Sequence, residues 1–137
     1  MFQRAEYHII KSRLEEPRRF IQVVMGPRQV GKSTVVRQVL ADSTLPYSMF
    51  TADAVPASDI HWISGIWESV RRKMKAEGAS EHILVIDEVQ KVNSWSEAVK
   101  KEWDADTFNG LNIKVVLLGS SRVMLDYGLA DSLMGRF

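Results

Sequence analysis

Gly26-Pro27-Arg28-Gln29-Val30-Gly31-Lys32-Ser33 fits the pattern G-x-x-x-x-G-K-[ST] without a gap. A triphosphate is held when several backbone N–H groups point inward at once. That demands glycine at the tight positions of a loop, with a helix N-terminus behind it. In such a loop Lys32 reaches the β- and γ-phosphates as a point charge, and the Ser33 hydroxyl ligates Mg²⁺. With glycine at about 7% of residues, the pattern arises by accident in roughly one chain of this length in a few hundred. Its surroundings also suit the mechanism. Phe20-Ile21-Gln22-Val23-Val24-Met25 is a short apolar run that reads as a buried strand ending at Gly26. Residues 32–40 then alternate apolar and polar at helical period.

Working outward, residues 3–16 carry Ile9, Ile10 and Leu14 at helical spacing and stop before Pro17. Residues 47–52 predict a second, weaker strand. Asp59 opens the clearest helix, with Ile60, Ile63, Trp67, Val70 and Met74 as one apolar stripe and Gly78 as its stop. Ile83-Leu84-Val85-Ile86 is a third strand, apolar enough to be covered on both faces. Ser94-Trp95-Ser96-Glu97 has the spacing of a capping box and predicts another helix. Asn109-Gly110 marks a turn, and Lys114-Val115-Val116-Leu117-Leu118 a fourth buried strand. Strands alternating with helices predict a parallel sheet between helical layers, an α/β three-layer sandwich.

Asp87-Glu88 ends the third strand. Ligands of parallel α/β sheets collect at the carboxyl ends of the strands, so these carboxylates are expected to share a crevice with the glycine loop. Asp87 would hold Mg²⁺, directly or through water, and Glu88 would orient and polarise the attacking water. Ser120 and Ser121 follow Gly119 at the end of the fourth strand, where one of them can sense a γ-phosphate; capping the next helix is the competing role for either. Asp53, just past the second strand, is a turn residue or a neighbour of the site. Arg71-Arg72-Lys73 with Lys75 lies opposite the apolar stripe and reads as solvated surface. Trp62, Trp67, Trp95 and Trp103 sit mostly at core spacing. His8, His61 and His82 have no metal-ligand spacing.

The composition is that of an ordinary globular domain: 137 residues, 45% hydrophobic, 26% charged, net charge +1. Nothing global calls for nucleic acid or a membrane surface. The absence of cysteine excludes disulfides, thiolate metal sites and cysteine nucleophiles. No apolar run reaches the length of a membrane span, and the first residues lack a signal-peptide pattern, so a cytoplasmic location is expected.

Taken together, residues 26–34 through Thr34, Ile86-Asp87-Glu88-Val89-Gln90-Lys91, Leu118-Gly119-Ser120-Ser121 and Ser132-Leu133-Met134-Gly135-Arg136 resemble the AAA-type P-loop ATPases. The resemblance is to the bacterial and archaeal group in which an AAA domain precedes a further C-terminal domain of poorly defined function. It implies one domain over residues 1–137, with residues 1–19 as a helical lead-in. It also implies ATP or ADP with Mg²⁺, residues 26–34 on the nucleotide, Glu88 as catalytic glutamate, and Ser120 or Ser121 as first sensor. Arg136 stands where such proteins place a finger arginine acting on a neighbouring subunit; a plain basic residue beside a glycine turn is the equal alternative.

The same resemblance implies a fifth strand beside the first and a helical lid beyond Phe137, so an N-terminal piece of a longer protein is expected, with a homo-oligomer as one option for the full-length protein. Any nucleic-acid partner would belong to the further domain. Hydrolysis driving a conformational change leads over two other readings, a nucleotide-dependent switch with little turnover and a P-loop kinase. A glutamate directly after Asp87 favours water over a kinase acceptor.

Overall fold

The computed structural model describes residues 4–25 and 32–119. In chain order the elements are α1 (Arg4–Glu15), β1 (Gln22–Met25), α2 (Lys32–Asp42), β2 (Tyr47–Thr51), α3 (Trp62–Glu77), β3 (Glu81–Asp87), a 3-10 turn (Val89–Lys91), α4 (Trp95–Asn109) and β4 (Asn112–Gly119). All strand pairs are parallel and the sheet order is β1-β4-β3-β2. The expected α/β fold with a parallel sheet is what forms.

The near-continuous apolar runs of β3 and β4 have a direct cause. Side chains of a strand alternate between faces, and here both faces are covered. Ile83, Val85, Val116 and Leu118 pack against α1 and α2 through Ile10, Leu14, Val36 and Val39. Leu84, Ile86, Val115 and Leu117 pack against α3 and α4 through Ile63, Trp67, Val70, Val99 and Trp103. Two cores thus flank one sheet.

Some side chains join layers that the chain order separates. Lys114 is buried, donates from Nζ to the Leu14 carbonyl at 2.8 Å, and pairs with Glu81 at 3.4 Å. Arg18 donates to the carbonyls of Ile113 and Trp103, each at 3.0 Å, with its guanidinium 3.5 Å over the Trp103 ring. Burial lowers the Arg18 pKa, against the opposing pull of Asp106 and Asp104.

Four expectations need correction. Helix α3 starts at Trp62, because residues 56–62 make turns first: Asp59 N–H donates to Pro56 O and Trp62 N–H to Asp59 O. Ile60 therefore leaves the apolar stripe and is 47% exposed, while Ile66 joins it. β1 begins at Gln22, and Phe20 lies outside it, 45% exposed.

Ser94 does precede α4, but at φ 60 and with no side-chain capping bond, so no capping box forms. Finally, Arg71 is no solvated surface residue. It donates to Glu102 at 2.8 Å and to Asp106 at 2.9 Å on α4, whereas Arg72, Lys73 and Lys75 are exposed. Gly78 and Gly110 close α3 and α4 at φ 66 and 70, in the left-handed region that glycine alone enters without steric cost.

Candidate nucleotide site

The register of the sheet fixes where its carboxyl edge lies. Leu117 of β4 is opposite Val23 of β1 on one side and Ile86 of β3 on the other. Beyond that row, β1 ends at Met25, paired with Gly119, and β3 ends at Asp87, paired with Thr51 of β2. These three adjacent strands thus end along one edge, and residues 26–31, Glu88 and residue 120 are what follow them in sequence. That is the position at which parallel α/β sheets bind ligands.

Lys32 and Ser33 are the first residues of α2, and Ser33 is half-buried. The N-terminus of a helix carries partial positive charge and unsatisfied N–H groups. Acidic side chains commonly neutralise it, but the first turn of α2 has none. The helix start keeps its attraction for an anion, and Thr34 is exposed beside it. The remainder of the glycine loop, residues 26–31, and the expected contributions of Ser120, Ser121 and Arg136 lie outside the described residues.

On β3, Asp87 is half-buried, and its carbonyl accepts a bond from Ala52 N–H at 2.9 Å that extends the β2–β3 ladder. Glu88 is 4% exposed and its backbone has φ 54 and ψ 41. A left-handed conformation is uncommon for any residue but glycine and costs about 1–3 kcal/mol. It is held here because Val89, fully buried, anchors the turn in the core, and Lys91 N–H donates to Glu88 O at 3.1 Å. The bend turns the chain sharply at the edge, directly after the last strand residue. Gln90 Nε2 donates to Glu88 Oε2 at 2.6 Å.

Asp53 pairs with Lys91 of the 3-10 turn at 2.5 Å, so it does sit beside the site, in a structural ion pair. Gln90 and Lys91 were not singled out by the sequence reading; only their place in the Asp-Glu-x-Gln-Lys run pointed to them.

The oxygen donors suit Mg²⁺. This ion takes one or two protein oxygens together with substrate phosphates and water, and the hydroxyl of Ser33 in the first turn of α2 and the carboxylate of Asp87 at the end of β3 are the residues that would hold it. Among the described residues no cluster of three His, Cys, Asp or Glu side chains could hold a metal by itself. His8 and His61 are exposed, and His82 is buried near the start of β3 with Nε2 2.8 Å from Ser48 Oγ. No described helix is long and apolar enough to cross a membrane.

Comparison with known proteins gives one family, described as an AAA domain, matching residues 18–137. That span takes in all four strands and the whole candidate site. A search of curated proteins returns no match. AAA domains bind nucleotide, typically with Mg²⁺, and are generally ATPases. With this sheet, this edge and this match, the chain belongs to the AAA-domain family.

Proposed function

We propose that the chain binds Mg·ATP at the carboxyl edge of β1, β4 and β3, and that the protein hydrolyses it to drive a conformational change in an attached domain or partner. The observation that carries this reading is Glu88. It is a buried carboxylate in a strained backbone, one residue past Asp87, on the edge where α2 begins with Lys32-Ser33.

In this reading residues 26–34 wrap the phosphates and Lys32 neutralises charge on the β- and γ-groups. Ser33 and Asp87 hold Mg²⁺. Glu88 polarises a water and takes its proton as the oxygen attacks the γ-phosphorus; the bond to the β–γ bridging oxygen breaks, and ADP and inorganic phosphate depart. Ser120 or Ser121 senses the γ-phosphate, and Arg136 acts on the site of a neighbouring subunit in a homo-oligomer. Residues 1–137 form one domain with residues 1–19 as lead-in, working in the cytoplasm without membrane or nucleic-acid contact of its own.

Glu88→Gln tests the reading. Glutamine keeps size and hydrogen bonding but cannot polarise water as a carboxylate does. Hydrolysis is expected to drop about 10²-fold or more, in line with general-base contributions, while ATP affinity stays within a few fold. Unchanged turnover in this variant would make Glu88 a structural residue.

A further inference from the structure

Gln90 lies two residues past Glu88 in the 3-10 turn and is half-buried. Its Nε2 is the donor in the 2.6 Å bond to Glu88 Oε2. Glu88 Oε2 is the acceptor of that bond, so the amide nitrogen faces Glu88 and the amide oxygen is the end turned elsewhere. That oxygen is buried and has no partner among the described residues. Buried polar atoms are nearly always paired. Among the described residues the Gln90 side chain is bonded only at the end that touches Glu88.

The turn keeps the two residues in fixed relation. Val89 between them is fully buried, Val92 N–H donates to Val89 O at 3.3 Å, and Lys91 is tied to Asp53, just past the end of β2. The last torsion of a glutamate is broad and roughly two-fold, and a strong donor on one oxygen narrows it.

We propose that Gln90 is a positioning residue for ATP hydrolysis, its amide fixing the plane of the Glu88 carboxylate so that the carboxylate meets the attacking water in one orientation. The inference rests on Glu88 acting on water, as proposed above. It assigns to Gln90 no contact with ATP, so its loss acts on turnover and not on binding. Misplacement of a reacting group by about 1 Å can cost on the order of 10² in rate.

The test is a double-mutant cycle on the chain with Gln90→Met, which keeps an unbranched side chain of similar volume and removes the donor. In the wild-type background, kcat is expected to fall about 10-fold or more, with KM and calorimetric Kd for Mg·ATP changed less than about 2-fold. In the Glu88→Gln background the same substitution is expected to cost no further turnover, because the carboxylate it positions is gone.

Full activity in Gln90→Met, or the same fold-loss in both backgrounds, overturns the proposal and leaves the role of Glu88 standing. Wild-type turnover in Glu88→Gln instead removes the hydrolytic role of Glu88 and the proposal with it. A second readout needs no turnover: the Gln90 side-chain amide resonance, assigned by its loss in Gln90→Met, is expected to shift and to exchange faster in Glu88→Ala. An unmoved resonance overturns the contact.

Discussion

Glu88 shows how a side chain and a backbone are placed together. The carboxylate could be read from the sequence, since an acidic pair behind four apolar residues marks the end of a buried strand. The left-handed backbone and the bond from Gln90 could not, because both depend on how Val89 is drawn into the core. His82 was equally opaque. Counted by spacing it ligates nothing, yet it is fully buried against Ser48 with Nδ1 lacking a partner among the described residues. Burial lowers its pKa, Lys73 lowers it further, and Glu77 opposes them. For a base with a lowered pKa, the unfolded chain takes up the proton first as pH falls. The stability that neutral His82 carries is therefore complete above histidine's ordinary value of about 6.5 and declines below it. Urea midpoints of wild type and His82→Gln between pH 7.5 and 5 are expected to diverge, the wild type losing more on acidification. Parallel curves would show that His82 titrates alike in both states.

Between elements, the α3–α4 contact holds the least legible part of the fold. A helical wheel puts Arg71 on the polar face of α3, which is correct for a helix with one neighbour. Here the sheet takes one face and α4 reaches part of the other, so Arg71 meets Glu102 and Asp106, both buried. Ser64 donates to Glu102 at 2.9 Å and the Trp67 indole to Asp106 at 2.7 Å, completing the acceptors. Burial alone would lower the Arg71 pKa, but Glu102 and Asp106 outweigh it and raise it. Removing one partner of a buried pair strands the others. Arg71→Met is expected to cost about 2–4 kcal/mol in urea unfolding, toward the lower end because the arginine keeps some solvent contact. A loss below about 0.5 kcal/mol would class the contact with ordinary surface pairs. Strands β3 and β4 and the stop at Gly78 were readable by contrast, because double burial and a left-handed cap each leave a local mark in composition. The start of α3 was not, since Asp59 is equally suited to a cap and to the turn it occupies.

For the whole molecule, the order β1-β4-β3-β2 brings the ends of strands far apart in sequence to one edge. β4 lies between β1 and β3, so the segment after β1 and Asp87-Glu88 after β3 leave the same edge. Pattern matching could supply the two motifs, and alternation of strand and helix the parallel sheet, but only the register shows that the strands end together. Two cores flank the sheet, one on each face. The central claim is that this edge binds Mg·ATP through the loop running into α2, and calorimetry with wild type and Lys32→Ala tests it most directly. Lysine's charge-assisted bonds to phosphate are worth about 1.5–3 kcal/mol each, so the account predicts saturable binding of one Mg·ATP per chain, weakened at least about 10-fold in Lys32→Ala. Equal affinity in the two proteins, or no binding to either, would contradict it.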